Sequence, residues 1–167
     1  MATVDVSNGL NGGTHPSRAI RKEPYKIEVD VDFANVASVN GTALAASDVI
    51  QIIDVPGKTM VWAAGLEVVT PPNGDASADI GITAVDVDAF VDGFTLDSTS
   101  TGDMTNLPDD YAPHVVASDD TIDMLILAGS SAAPSTGVVR VWAVMQDVSN
   151  DLGPDEVDRD WETTCGA

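Results

Sequence analysis

Residues able to do chemistry are few in this chain. His15 and His114 are the only histidines and Cys165 the only cysteine. No Cys or second His lies at ligand spacing from either histidine, so no zinc site is expected. No Gly-x-Ser-x-Gly segment occurs, and neither histidine has the setting of a Ser-His-Asp triad. Cys165, two residues from the end, has no activating base nearby and reads as an incidental thiol. The densest carboxylate cluster is Asp86, Asp88 and Asp92, followed by Gly93 and Asp97. Closely spaced carboxylates in a loop suit a hard cation such as Ca²⁺. The order departs from an EF-hand loop, with Phe90 at the fifth position, and 22 aspartates make such a cluster unremarkable. Asp86, Asp88 and Asp92 are therefore weak metal candidates in a solvated loop, and no metal or cofactor is expected. Asn11-Gly12-Gly13 follows no strand pattern and lacks the lysine of a phosphate loop. The chain reads as a non-enzyme.

Three tryptophans remain. Trp62 and Trp142 lie in strongly apolar segments, so both are expected in the core rather than on a sugar-stacking platform. Trp161 stands in an acidic stretch with no local core to join and is a candidate docking anchor.

Charge sets the terms for any partner. Seven Lys and Arg against 27 Asp and Glu leave a net charge of −20. Spread over the roughly 7,800 Å² expected of a compact monomer, that is about one net negative charge per 400 Å². Such a surface repels phosphates, so no direct nucleic-acid binding is expected, and self-repulsion opposes association unless salt screens it. The distribution is uneven. Arg18, Arg21, Lys22 and Lys26 give residues 1–26 a net charge of +2, while residues 27–167 carry −22. A basic leader precedes an acidic body, and Arg18, Arg21 and Lys22 are the candidate partner-binding residues.

The elements that must position these residues read as strands. Residues 1–24, with Asn8-Gly9, Asn11-Gly12-Gly13, Pro16 and Pro24, show little apolar pattern and are expected to be an extended arm, either disordered alone or ordered by a partner. From Tyr25 the chain alternates: Ile27, Val29, Val31 and Phe33 against Lys26, Glu28, Asp30 and Asp32. Asp48–Val55 is a β-branched run stopped by Pro56-Gly57, and Thr59–Thr70 resumes as a long strand in which Gly65 marks a bulge or bend. A short strand is expected near Ala78–Thr83. Residues 84–110 read as a long connection with one helical turn around Val87–Val91. Tyr111–Ala117, Thr121–Ala128 and Val138–Val148 complete the set; the last is apolar on both faces and expected to be central. Residues 25–149 therefore predict an antiparallel β-sandwich of about seven or eight strands, jelly-roll-like or immunoglobulin-like in connectivity. Residues 150–167 form an acidic tail. No apolar run is long enough to span a membrane, the N-terminus has no secretory-signal pattern, and one cysteine leaves no intrachain disulfide.

Three blocks carry a resemblance: Ser47–Pro56; Ala78–Thr83 with Asp86–Gly93; and Asp120–Ala128 with Gly137–Val148. Together, over roughly residues 45–148, they resemble head structural proteins of tailed bacteriophages, marine ones especially. The resemblance implies a capsid decoration (cement) protein: a β-rich homo-oligomer, usually a trimer, seated on the major capsid protein at the outer surface of the virion. It supplies no catalytic residues. The alternatives are a carbohydrate- or host-surface-binding β-module and a phage tail or neck component. Exposure of Trp62 or Trp142 on one face would favour the surface-binding module.

Overall fold

The structure is a computed structural model that describes residues 23–74, 76–83, 85–96, 113–127 and 133–149, together with the backbone of residues 3–5. Nine strands and one helix follow in order: β1 (Thr3–Asp5), β2 (Tyr25–Asp32), α1 (Phe33–Asn40), β3 (Val49–Val55), β4 (Thr59–Thr70), β5 (Ala76–Ile82), β6 (Asp86–Leu96), β7 (His114–Val116), β8 (Asp120–Leu127) and β9 (Val138–Asp147). They form two sheets, ordered β1-β3-β8-β5-β6 and β2-β9-β4-β7. Every pairing is antiparallel except β1 with β3.

With β1 set aside, the eight strands β2–β9 have jelly-roll connectivity: two four-stranded antiparallel sheets whose chain crosses between them at every connection but one. The exception is the β5–β6 hairpin, closed where Val85 N donates to Ile82 O at 2.8 Å. Pro56-Gly57 is accordingly a crossing between sheets and not a hairpin. Gly57 is required there: a Cβ would stand 2.9 Å from the Ser118 backbone, and Gly57 N donates to Asp119 Oδ1 at 2.8 Å. The following Lys58 takes a positive φ of 64° and donates its N–H to Val116 O.

The core lies between the sheets. β9 presents Val139, Val141, Ala143 and Met145, all fully buried, and Ile122, Met124 and Ile126 of β8 face them from the other sheet with Ile80, Ile82 and Phe90. Burying side chains of this size contributes about 1.5–3 kcal/mol each. β9 is central in its sheet, between β2 and β4.

Three local expectations change. The chain around Val87–Val91 is not a helical turn but part of β6, which runs 11 residues to Leu96 and buries Ala89, Phe90 and Val91. Phe33 does not continue the β2 alternation; it opens helix α1. Asp32 caps that helix by accepting from Ala34 N at 2.9 Å, and Gly41 ends it at a φ of 73°. The helix buries Phe33 and Val36, one turn apart, over the end of the core. Finally, the first residues of the leader are not free of the domain, since Thr3–Asp5 pairs with Val49–Gln51 of its own chain. The rest of the leader, residues 97–112 and the tail lie outside the described residues.

Phe90→Ala is expected to cost about 3–5 kcal/mol of stability, since it removes a fully buried ring from between the sheets. Val39→Ala, on the exposed side of α1, should stay within about 0.5 kcal/mol of wild type. Urea unfolding followed by circular dichroism measures both.

Candidate interaction surfaces

The outer face of the four-stranded sheet carries an ordered set of polar and aromatic side chains. Outward residues of β9 alternate as Arg140, Trp142, Val144 and Gln146. Register places Arg140 between Asp30 and Glu67, and Trp142 between Glu28 and Gly65. Arg140 donates through Nε to Asp30 Oδ1 at 2.8 Å and through Nη2 to Oδ2 at 3.2 Å, a bidentate pair, with Glu67 Oε2 at 3.7 Å from Nη1. The hydrogen bond to Asp30 raises the guanidinium pKa further.

Gly65 makes room for the neighbouring indole. A Cβ at residue 65 would stand 2.9 Å from Trp142 Cζ2, so the ring lies flat across the glycine. Lys26 Nζ sits 5.6 Å from the ring centroid, within cation–π range, and pairs with Glu28. The hydrogen bond from Lys26 holds the Glu28 carboxyl below its usual range. Trp142 Nε1 is buried and has no hydrogen-bond partner among the described residues.

Trp62 also faces outward, 42% exposed, with Nε1 donating to Gln146 Oε1 at 3.0 Å. The expectation that both tryptophans belong to the core is therefore wrong, and a β-bulge is the reason for Trp62. Ala64, Leu66 and Val68 point inward, and strict alternation would put Trp62 with them. The register shift between Val61 and Ala63 moves Val61 into the core instead and turns Trp62 and Ala63 out. Trp142 is out because its strand keeps an unbroken alternation with Val141 and Ala143 inside.

The carboxylate cluster lies elsewhere, on β6 at the far edge of the five-stranded sheet. Asp86 and Asp88 are two residues apart, and Asp88 is held above its usual pKa, chiefly by a hydrogen bond shared with Asp86 and then by desolvation. Asp92 lies farther along the same strand, which bulges in between: Asp86 stands opposite Ile82 and Val91 opposite Ile80. Among the described residues no group of three His, Cys, Asp or Glu side chains converges on a metal position.

Two neighbouring aspartates that sequence reasoning did not single out are buried. Asp79 accepts from Gly93 N at 2.7 Å, and Asp123 accepts from Thr83 N at 3.2 Å and from the Thr83 and Thr121 hydroxyls. Burial raises both pKa values despite these bonds. Their signal in the sequence was only an Asp inside an otherwise apolar strand. His114 sits on β7, whose partner is β4. His15, Arg18, Arg21, Lys22, Trp161 and Cys165 fall outside the described residues.

No family model and no curated protein matches the chain. The geometry defines a jelly-roll β-sandwich with one appended strand, and solved structures share it. A chain in the capsid of Ralstonia phage GP4 superposes with a TM-score of 0.61 at 16% identity, over 89% of this chain and 100% of that one. A chain in the capsid asymmetric unit of cyanophage Pam1 superposes with a TM-score of 0.56 at 12% identity, over 80% of this chain and 91% of that one. At these identities the likeness is one of fold.

Gly65→Ala should tilt the Trp142 ring outward and cost about 1–3 kcal/mol by overpacking. In a Trp62→Phe, Trp161→Phe background, tryptophan emission would shift to the red; unchanged emission would mean the ring does not lie on Gly65. The buried acids predict a pH effect of definite sign. Because Asp79 and Asp123 have raised pKa values in the folded state, the folded protein binds more protons than the unfolded chain between about pH 4 and those values. Stability therefore rises as pH falls from 7 into that window. Asp123→Asn, which cannot ionise, should flatten part of this rise in a series of thermal melts at high salt, where general charge repulsion is screened.

Proposed function

We propose that this chain is a structural protein of a tailed-phage head, acting as a decoration (cement) subunit on the outer surface of the shell. The observation that carries the reading is the fold likeness to a chain of the Ralstonia phage GP4 capsid over that chain's entire length. A whole subunit of that capsid structure thus has about the size of this domain. The physical character of the chain supports the same role. A compact two-sheet core without a disulfide, an acidic body and a short basic leader suit a protein that joins a larger surface and otherwise faces solvent.

In this reading the major capsid protein is the partner and the subunits sit as homotrimers. Arg18, Arg21 and Lys22 pair with acidic groups of the shell, while Trp161 serves as a second anchor in the tail. Ordering a leader of this kind costs free energy only when it binds, which suits late addition to a formed shell. The role calls on no catalytic group, and Asp86, Asp88 and Asp92 are solvated strand residues within it.

A second reading has one observation in its favour. Trp62 and Trp142 share the outer face of one sheet, the arrangement expected of a carbohydrate- or host-surface-binding module. Trp142 is partly covered by Lys26 and its ring nitrogen is buried, which leaves Trp62 as the exposed ring. A single ring makes a weak platform, and the head-protein reading is preferred. A tail or neck position is the remaining variant of the structural role.

The test is sedimentation of the protein with purified expanded capsids. Replacing Arg18, Arg21 and Lys22 with Glu should reduce binding at least tenfold and remove most of its salt dependence. Full binding by that variant would exclude the basic leader as the gripping element. Loss of glycan binding on Trp62→Ala with capsid binding intact would favour the second reading.

A further inference from the structure

Strand β1 does not belong to the jelly roll. Strands β2–β9 complete both sheets, and β1 adds three residues to the outer edge of β3 in the single parallel pairing of the fold. Thr3, Val4 and Asp5 stand opposite Val49, Ile50 and Gln51. On that side Ile52–Val55 of β3 has no strand partner among the described residues.

Filling this slot within one chain does not need the whole of the leader. β1 lies against α1, α1 follows directly on β2, and β2 lies against β3. The eight residues of β2 span about 26 Å, and packed sheets stand about 10 Å apart. About eleven extended residues cover both steps. Residues 6–24, which join β1 to β2, exceed that by about eight. Fully extended they reach about 60 Å, whereas a domain of this size is about 35 Å across. At full stretch the segment is long enough to reach the β3 of an adjacent copy in contact with this one.

Exchange costs little in contacts, because the same three-residue pairing forms against an identical edge. In a closed ring of copies each chain gives one strand and receives one, and every pairing after the first is effectively intramolecular. We propose that Thr3–Asp5 is exchanged between copies, each chain inserting β1 beside the β3 of its neighbour. The exchange deepens the oligomeric part of the function proposed above, but its test contains no capsid, so the two ideas fail separately.

The experiment uses full-length protein carrying Cys165→Ser. Asp5→Cys and Gln51→Cys are introduced singly at facing Cα positions, Gln51 being only partly buried. The two single variants are co-expressed, purified in about 0.5 M salt to screen the charge of −20, and oxidised. The expected result is a disulfide-linked dimer whose 5–51 linkage is confirmed by peptide mass mapping. The double variant is expected to give a ladder of covalently linked copies through the same 5–51 bond. A double variant that closes only on itself, as a cross-linked monomer, with no 5–51 bond between the single variants, would overturn the proposal. Failure to form a 5–51 bond in any sample would overturn it as well.

Discussion

Strand β9 keeps the two environments of this protein apart, and the rest of the structure depends on its doing so. Its inner side chains, Val139, Val141, Ala143 and Met145, are fully buried against the opposite sheet. Its outer side chains, Arg140, Trp142, Val144 and Gln146, are only partly covered. Because β9 is hydrogen-bonded along nearly its whole length to both β2 and β4, one alternating strand fixes the register of three. A slip of one residue would place Arg140 and Gln146 between the sheets and expose four core residues. The Asp30–Arg140–Glu67 row and the Trp142–Gly65 contact then follow from that register.

An acidic chain folds here by using aspartate as a connector. Asp32 caps α1, Asp119 takes the N–H of Gly57 from the opposite crossing, and Asp48 takes the N–H of Ala45 at 2.8 Å. Asp79 and Asp123 do the same for Gly93 and Thr83. Each of these carboxylates satisfies a backbone donor at a helix start, a crossing or turn, or a break in the sheet ladder. A jelly roll crosses between sheets at almost every connection, so it has many such places. The cost is visible at Asp79 and Asp123, where burial disfavours the charged form more than the accepted hydrogen bonds favour it. The remaining acids among the described residues are all at least partly exposed, and salt screens their mutual repulsion.

The surfaces left over from this construction divide the functional readings. The edge of β3 holds an appended strand that the sandwich itself does not require, a feature suited to joining copies. The outer face of β2-β9-β4-β7 is held by internal pairs: Lys26 with Glu28 and the Trp142 ring, Arg140 with Asp30, Gln146 with Trp62. Side chains already engaged with one another contribute less to a new contact, because those pairs must be broken first. That balance is a physical reason to prefer a structural role mediated by strand edges and the leader over ligand capture on the tryptophan face.

The sequence by itself determined the all-β sandwich class, where most of the described strands run, and that β9 is central. Alternation in Tyr25–Asp32 and in Val138–Asp147, and the apolar run of Val49–Val55, are local properties that survive any arrangement of the sheets. The sequence also held the signals of α1, an Asp before it and a Gly after it, but an eight-residue helix in which only Ala34 and Ala37 are strong helix formers is outweighed by the preceding alternation. Only the tertiary structure decided that the chain crosses between sheets at Pro56-Gly57, which made the connectivity a jelly roll and not an immunoglobulin-like sandwich. A turn dipeptide stops a strand but does not state which sheet the next one joins. Tertiary structure also decided the position of Trp62. A single bulge reverses the inside and outside of every residue beyond it, and whether a bulge forms depends on the partner strands, which are distant in the sequence.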